Sequence, residues 1–385
     1  MNFDPTDQQK AIRKEIIDFC RAELNSGIEE RDRAGKFPRE LFAKIGAGPR
    51  LQGLPIDPQF GGRGLDPLTT IVALEAFGYG CEDSGLVLAV CAQLLATAVP
   101  IAKFATDAQK TEFLPGLCDG STLGFNGMTE PGAGSDVASV ATSAVRDGDH
   151  YVLNGTKTLI TNGPAGELGI VFAVTDPDAD PQGRLTPFII STPDAQGITR
   201  RGGFDLLGNR TAEIGEISFE DVHVPAEAIL GGQEGSGMEV FEQAMNWERI
   251  GLFAAHVGSM QRLTEISIKR ARSRKASGKP ISKFDSISHK IVDMKARLEA
   301  SRLMVYRAAA KLDRGRDVAL DASVAKLFVS EAYVRAANDA LQIHGGAGYL
   351  NDTGLARPLR DSVGSTLYAG TSEIQRNNIA RELGL

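Results

Sequence analysis

The chain has 385 residues, enough for two or three packed domains, and 42% apolar with 24% charged residues is ordinary globular composition. A formal net charge of −7 argues against a nucleic-acid surface, which needs a basic footprint, and against a polybasic membrane anchor. The four cysteines form no Cys-x-x-Cys pair and no cluster with histidine at zinc spacing, so no metal site is expected and they read as reduced thiols of a cytoplasmic protein.

The first ten residues, MNFDPTDQQK, lack the charged-then-apolar layout of a signal peptide. Thr6 and Gln9 form a capping box, followed by Ile12, Ile16, Phe19 and Leu24 on a helix stripe. A Gly/Pro-rich stretch at 54–67 predicts a loop, after which helical patterns resume to about residue 118. The most apolar run, 85–102, is interrupted by Gln93, Thr97 and Pro100 and barely reaches spanning length. A buried helix broken at Pro100 is expected there, not a membrane span. Residues 1–120 thus read as an N-terminal helical domain.

The period changes over 121–232. Asn154-Gly155 lies between extended runs and predicts a tight hairpin. Further strands are expected at 169–176, 185–192 and 213–225, giving a central β domain. Helical spacing returns over 233–385, with stretches at 236–272, 284–314 and 317–344, the last closed by Gly345-Gly346. The order helical, β, helical predicts three layers of one compact unit and argues against alternating βαβ units.

Four strings carry the chemistry. In MTEPGAGSD (128–136), Gly132 and Gly134 let backbone amides approach a ligand, and Thr129 and Ser135 supply hydroxyls. By physics alone the string is equally a polar loop opening a β domain. With LITNG (159–163), QIHGGAGY (342–349) and GTSEIQR (370–376), in this order over essentially the whole chain, it resembles the acyl-CoA dehydrogenase flavoproteins. The resemblance implies an N-terminal helical domain, a central β-barrel-like domain and a C-terminal four-helix bundle, assembled as a homodimer or homotetramer. It implies FAD between the β domain and the bundle, reaching into a neighbouring subunit. Thr129 and Thr161 would contact the flavin ring, walled by Asn126, Met128, Gly134, Ser135 and Leu159. Arg274, Gln342, Gly345 and Gly346 would hold the pyrophosphate and adenosine of a neighbour's FAD, and Thr371 and Glu373 would complete the site. Leu159 stands where many members have an aromatic ring, and Ser277 where many have phenylalanine. Both lose apolar packing on the cofactor.

One position departs from the common pattern. Most members carry before Gly370-Thr371 the glutamate that removes the substrate's α-proton; here the residue is Ala369. The isovaleryl and long-chain types place the base on an earlier bundle helix and keep the late position small. Glu248 stands at that earlier position. The resemblance therefore implies α-proton removal by Glu248, polarisation of the thioester carbonyl by the Ala369 N–H and a flavin ribityl hydroxyl, and transfer of the β-hydride to flavin N5. Taken alone, Glu248 is equally a first-turn or ion-paired glutamate. Its neighbour Arg249 reads as structural, a cation that would keep Glu248 ionised and lower its basicity. Glu373 is the rival carboxylate.

A closer similarity is to dehydrogenases that act on aminoacyl groups tethered to a carrier protein, of which the prolyl type is the best example. Leu88 and Ala92 would line a greasy acyl cavity, and Gly370 and Arg249 its mouth. Trp247, the one tryptophan, shapes a ring pocket or fills the core. The basic run 269–279 would suit an acidic carrier protein, though it reads as well as a solvated helix end. The five histidines show no triad spacing and none is assigned to catalysis. The competing activity is a flavin monooxygenase on the same fold, which needs no α-proton base; a scaffold that has lost its base is the third. The acyl group, CoA versus carrier protein, and the electron acceptor stay open at this level.

Overall fold

The computed structural model describes residues 4–193 and 195–385. Seven helices come first: α1 (Asp7–Glu23), α2 (Ile28–Ala34), α3 (Arg39–Ala47), α4 (Pro67–Gly80), α5 (Ser84–Gln93), α6 (Val99–Phe104) and α7 (Asp107–Asp119). The capping box is present: Gln9 N–H donates to the Thr6 hydroxyl at 3.2 Å, and Thr6 N–H to Gln9 Oε1 at 3.0 Å. Ile12, Ile16, Cys20 and Leu24 form the buried stripe, with Phe19 half-buried beside it.

The apolar run does not break at Pro100. Residues Leu94–Ala98 form a π-helical turn that leads straight into α6. Pro100 has no N–H for the carbonyl of Ala96, four residues back. That carbonyl instead accepts from Asn126 Nδ2 at 2.8 Å. The stretch Ser84–Phe104 is long and apolar enough to cross a membrane, but 89% of its apolar window is buried inside the protein, as a core helix is.

The middle of the chain forms β1 (Gly124–Gly127), β2 (Ser143–Asp147), β3 (His150–Thr161), β4 (Leu168–Val174), β5 (Leu185–Ser191), β6 (Ile198–Arg201) and β7 (Ile214–Pro225). They join in one seven-stranded sheet in the order β1-β4-β2-β3-β7-β6, with β5 also paired to β4. The hairpin expected at Asn154-Gly155 is not there. The tight turn is one step earlier, between β2 and β3, where Asp147 pairs with His150. Gly155 lies inside β3 at a bulge against β7, and a Cβ on it would sit 2.4 Å from Thr142 Oγ1. Glycine is there for close approach, not for a turn.

The last third is α8 (Gly237–Ser273), a small hairpin of β8 (Lys275–Ala276) and β9 (Lys279–Pro280), then α9 (Asp285–Leu312), α10 (Ala319–His344), α11 (Ala356–Gly364) and α12 (Ser372–Glu382). α8, α9 and α10 pack on one another, and α4 lies across α8. The crossing is tight. A Cβ on Gly78 would fall 1.9 Å from the Ala255 carbonyl oxygen, and one on Gly258 would fall 2.0 Å from that of Glu75. Arg262 of α8 donates to the carbonyls of Gly78, Tyr79 and Cys81, satisfying the C-terminus of α4. The buried Glu75 carboxylate accepts from Arg302 at 2.9 Å and Tyr306 at 2.9 Å on α9, binding the N-terminal helices to the bundle.

Gly258→Ala should force these backbones apart and destabilise the protein by about 1–3 kcal/mol, read as a lower melting temperature. Unchanged melting would contradict the crossing geometry.

Candidate active site

The loop after β1 is held by a buried ion pair. Glu130 accepts from the backbone N–H groups of Ala141 (2.8 Å) and Thr142 (2.9 Å) and from Lys157 Nζ (2.7 Å). Lys157, fully buried, also donates to the Met128 carbonyl at 3.2 Å. Burial pulls the Lys157 ammonium down to about 8 against the attraction of Glu130. Burial pushes Glu130 up, but Lys157 and the hydrogen bonds from Thr142 and Ala141 together outweigh it, and the carboxyl titrates below its ordinary range. Both groups are therefore charged at neutral pH. The Thr129 carbonyl accepts from Thr158 N–H at 2.9 Å, fixing Thr129 against β3.

At the far end of β3 a register shift between Lys157 and Ile160 gives Leu159 a φ of 56° and turns it outward, 60% exposed. Thr161 is half-buried beside it. Asn162, also left-handed, donates to the carbonyls of Ala89 (3.0 Å) on α5 and Gly124 (3.1 Å) on β1. With the Asn126 bond to Ala96, this ties both loop strings to the α5–α6 run. The structure thus brings Asn126, Met128, Thr129, Leu159 and Thr161 to one edge of the sheet. Gly134 and Ser135 are exposed, and Cβ atoms on Gly132 or Gly134 would meet nothing within 4 Å. An exposed leucine, half-buried hydroxyls and glycines facing open space fit the edge and polar rim of a large planar ligand such as FAD.

On the other side stands Glu248, on α8, 9% exposed. Its carboxyl makes no hydrogen bond or ion pair with another described residue. Burial pushes it up to about 7, against the pull of Arg249 and Lys326. The expected acidifying effect of Arg249 is present, but desolvation outweighs it. Arg249 Nε donates to the Ala369 carbonyl at 3.2 Å, and Gln375 Nε2 to the carbonyls of Ala369 (3.1 Å) and Gly370 (3.0 Å). Ala369 (φ 54°) and Gly370 (φ 84°) are both left-handed, and the Ala369 N–H donates to no described residue. α8 packs on α5, and Arg249 beside Glu248 bonds the Ala369 carbonyl, so Glu248 stands close to the Ala369 loop. Leu88 is buried and Ala92 half-buried on α5. Trp247 belongs to the main core cluster.

Glu373 is exposed in the first turn of α12, held below its ordinary value by its own backbone N–H and the Thr371 hydroxyl. It lacks the desolvation that makes Glu248 basic. Thr371 caps α12, accepting from Ile374 N–H at 3.3 Å. Arg274, Gln342, Gly345 and Gly346 are exposed, and Arg274 is apart from this site, since α8 climbs about 39 Å between Glu248 and Arg274 at its usual rise. Sequence reasoning assigned nothing to Glu130, Lys157 or Asn162, although all three lie in or beside the quoted strings. Buried partners decide their role, and spacing does not show partners. Nor did it single out His256, whose Nε2 lies 2.8 Å from the Tyr368 hydroxyl and whose ring stacks on Tyr333.

Comparison with known proteins accords with this geometry. The N-terminal, middle and C-terminal domain models of acyl-CoA dehydrogenase match residues 6–121, 126–222 and 235–384. The chain belongs to the acyl-CoA dehydrogenase family of FAD-dependent oxidoreductases. It is 39% identical over the full length of both chains to an L-prolyl-[peptidyl-carrier protein] dehydrogenase of Pseudomonas fluorescens, and equally so to the probable acyl-CoA dehydrogenase YngJ of Bacillus subtilis. Among solved structures it is similar to the prolyl acyl carrier protein oxidase AnaB, with a TM-score of 0.96 and 42% identity over 99% of this chain and 100% of the other. It is also similar to PigA with FAD and proline, with a TM-score of 0.97 and 34% identity over both full chains.

Glu130→Gln leaves Lys157 charged and buried without a counter-charge, and should destabilise the protein by about 3–5 kcal/mol. Adding Lys157→Met should recover most of that loss in thermal melting. A single variant as stable as the parent would remove the pair from the account of the loop.

Proposed function

We propose that this protein dehydrogenates the α,β-bond of an acyl or aminoacyl thioester, with Glu248 as the base. The observation that carries this is a largely buried carboxyl, pushed up to about 7 and without a hydrogen bond or ion pair to another described residue, beside a loop whose own position for a base holds alanine. Likeness to two kinds of prolyl-carrier-protein enzyme favours a carrier-bound prolyl or short acyl group over a long-chain acyl-CoA.

Glu248 takes the α-proton onto its carboxylate, and a half-ionised group at neutral pH suits that task. The Ala369 N–H is free to donate to the thioester carbonyl as charge builds on its oxygen. Arg249 and Gln375 hold the Ala369 carbonyl and so aim that N–H. Leu88 and the neighbouring apolar face of α5 exclude water from the acyl group. Asn126, Met128, Thr129, Leu159 and Thr161 would hold the flavin, and when bound FAD supplies the acceptor for the β-hydride. Arg274 is too distant to serve the same flavin ring, which supports its holding, with Gln342, Gly345 and Gly346, a neighbour's cofactor in a dimer or tetramer.

Anaerobic mixing with prolyl and short-acyl thioesters of carrier protein and of CoA should bleach the flavin with at least one member. Glu248→Gln should slow that step by a factor of about 100 or more. The rate should fall below pH 7 as Glu248 takes up a proton. Bleaching that survives in the variant would overturn the base assignment. Oxygen use with a supplied flavin reductase, without bleaching by any thioester, would favour the monooxygenase.

Lys275 and Lys279, exposed on the β8–β9 hairpin, are the proposed contacts for an acidic carrier protein. Reversing both to glutamate should slow the carrier-bound substrate and spare the CoA thioester. Equal rates on the carrier-bound form would sink the docking idea.

A further inference from the structure

Lys326 has no evident reason to be where it is. It lies on α10 with its side chain wholly buried, and its ammonium has no hydrogen-bond partner. An unpaired buried ammonium is strongly unfavourable. The Phe253 ring, 5.5 Å from Nζ, offsets only part of that.

Its surroundings point toward the base. The charged groups that act on it are, in falling order, Arg249 from α8, Glu373 from α12, Glu331 on α10 itself and Glu248 from α8, and its Nζ lies over the α8 residue Phe253. Glu373 is exposed and Glu331 is paired to Arg376 at 2.7 Å, so solvent and partner screen both. Glu248 is faced in turn by Arg249 on its own helix, Lys326 from α10, Cys91 from α5 and Tyr368 from the following loop. Cys91 and Tyr368 are held neutral by burial. His256, two turns beyond Glu248, is also kept neutral, by burial first and then by Lys326 itself. Arg249 is engaged with the Ala369 carbonyl. Lys326 is thus the unengaged cation acting on Glu248 from outside its own helix.

We propose that Lys326 is a positioning residue for the reaction, whose buried ammonium acts across the α8–α10 interface to keep Glu248 in its proton-accepting carboxylate form at neutral pH. This rests on Glu248 being the base. Burial alone drives a carboxyl well above neutrality, where it would hold its proton and accept none. An opposite charge in the same low-dielectric core pulls it back without hydrogen-bonding it, so its lone pairs stay free for the substrate.

The test compares Lys326→Met and Lys326→Gln, which remove the charge, with Lys326→Arg, which keeps it. The first readout is infrared titration of the FAD-loaded protein, following the protonated-carboxyl band that is missing in Glu248→Gln. The second is the pH profile of anaerobic flavin reduction. Both midpoints should rise by about one unit in the neutral variants and stay in place in Lys326→Arg. Flavin reduction at pH 7 should then fall about fivefold and recover at higher pH. Thermal melting of Lys326→Met should be no lower than that of the parent. Midpoints unmoved in the neutral variants would overturn the proposal, as would failure of both to fold, since the lysine would then be structural. Flavin reduction that survives in Glu248→Gln defeats the base assignment instead. Its loss there, with unmoved midpoints in Lys326→Met, defeats only the role of Lys326.

Discussion

The depth and rotation of α8 decide the rest of the site. Gly251, Ala255 and Gly258 lie on one face of that helix, at three, seven and ten residues beyond Glu248. Gly258 meets the backbone of α4, and a Cβ on Gly251 would fall 2.8 Å from Leu95 of the π turn. Neither contact leaves room for a methyl group. The helix can therefore neither rotate nor lift, and the residue at the top of the same face is held against α5. Glu248 is aimed by glycines that touch no substrate.

The same core treats its charges in two ways. Glu75 with Arg302, and Glu130 with Lys157, are satisfied by several partners each, and both join separate parts of the chain. Those pairs hold the N-terminal helices to the bundle and the loop after β1 to the sheet. Lys326 is wholly buried and Glu248 nearly so, at 9% exposure, and neither has a hydrogen-bond partner among the described residues. A paired charge has little freedom to change protonation at neutral pH, while an unpartnered one is poised to do so.

The helices were legible because their signals are local: a capping box, an apolar stripe, a closing glycine. The three long bundle helices and the strands β4, β5 and β7 fall where periodicity places them. The failures share a cause. Asn154-Gly155 has turn chemistry, yet β3 pairs with β7 straight through it, and the glycine is required by Thr142 from the strand side. Pro100 should end a helix, yet the chain widens into a π turn and borrows a donor from Asn126. Short β1, β2 and β6 carry too few residues to show alternation. In each case a residue distant in sequence supplied what the local rule lacked. The family was legible in its strings, but the pairing of Glu130 with Lys157 and the isolation of Lys326 exist only in three dimensions.

Ala369 shows why the late position can be vacant without loss of the loop. Its backbone is left-handed, a conformation uncommon for any side chain. The loop is held not by its side chain but by its carbonyl, through Arg249 and Gln375. Arg249 directly follows Glu248, so one helix step both anchors the loop and presents the carboxyl beside it. With the base at Glu248, as proposed, the Ala369 N–H keeps its place in the loop. That placement also passes the positional constraint to α8, the more rigid element. A base on a packed helix is fixed by the whole bundle, whereas one on the loop depends on two hydrogen bonds. The price is burial, and a buried carboxyl needs a cation nearby to stay ionised. On the proposed reading, Lys326 supplies that charge from the neighbouring helix without a hydrogen bond to the carboxyl.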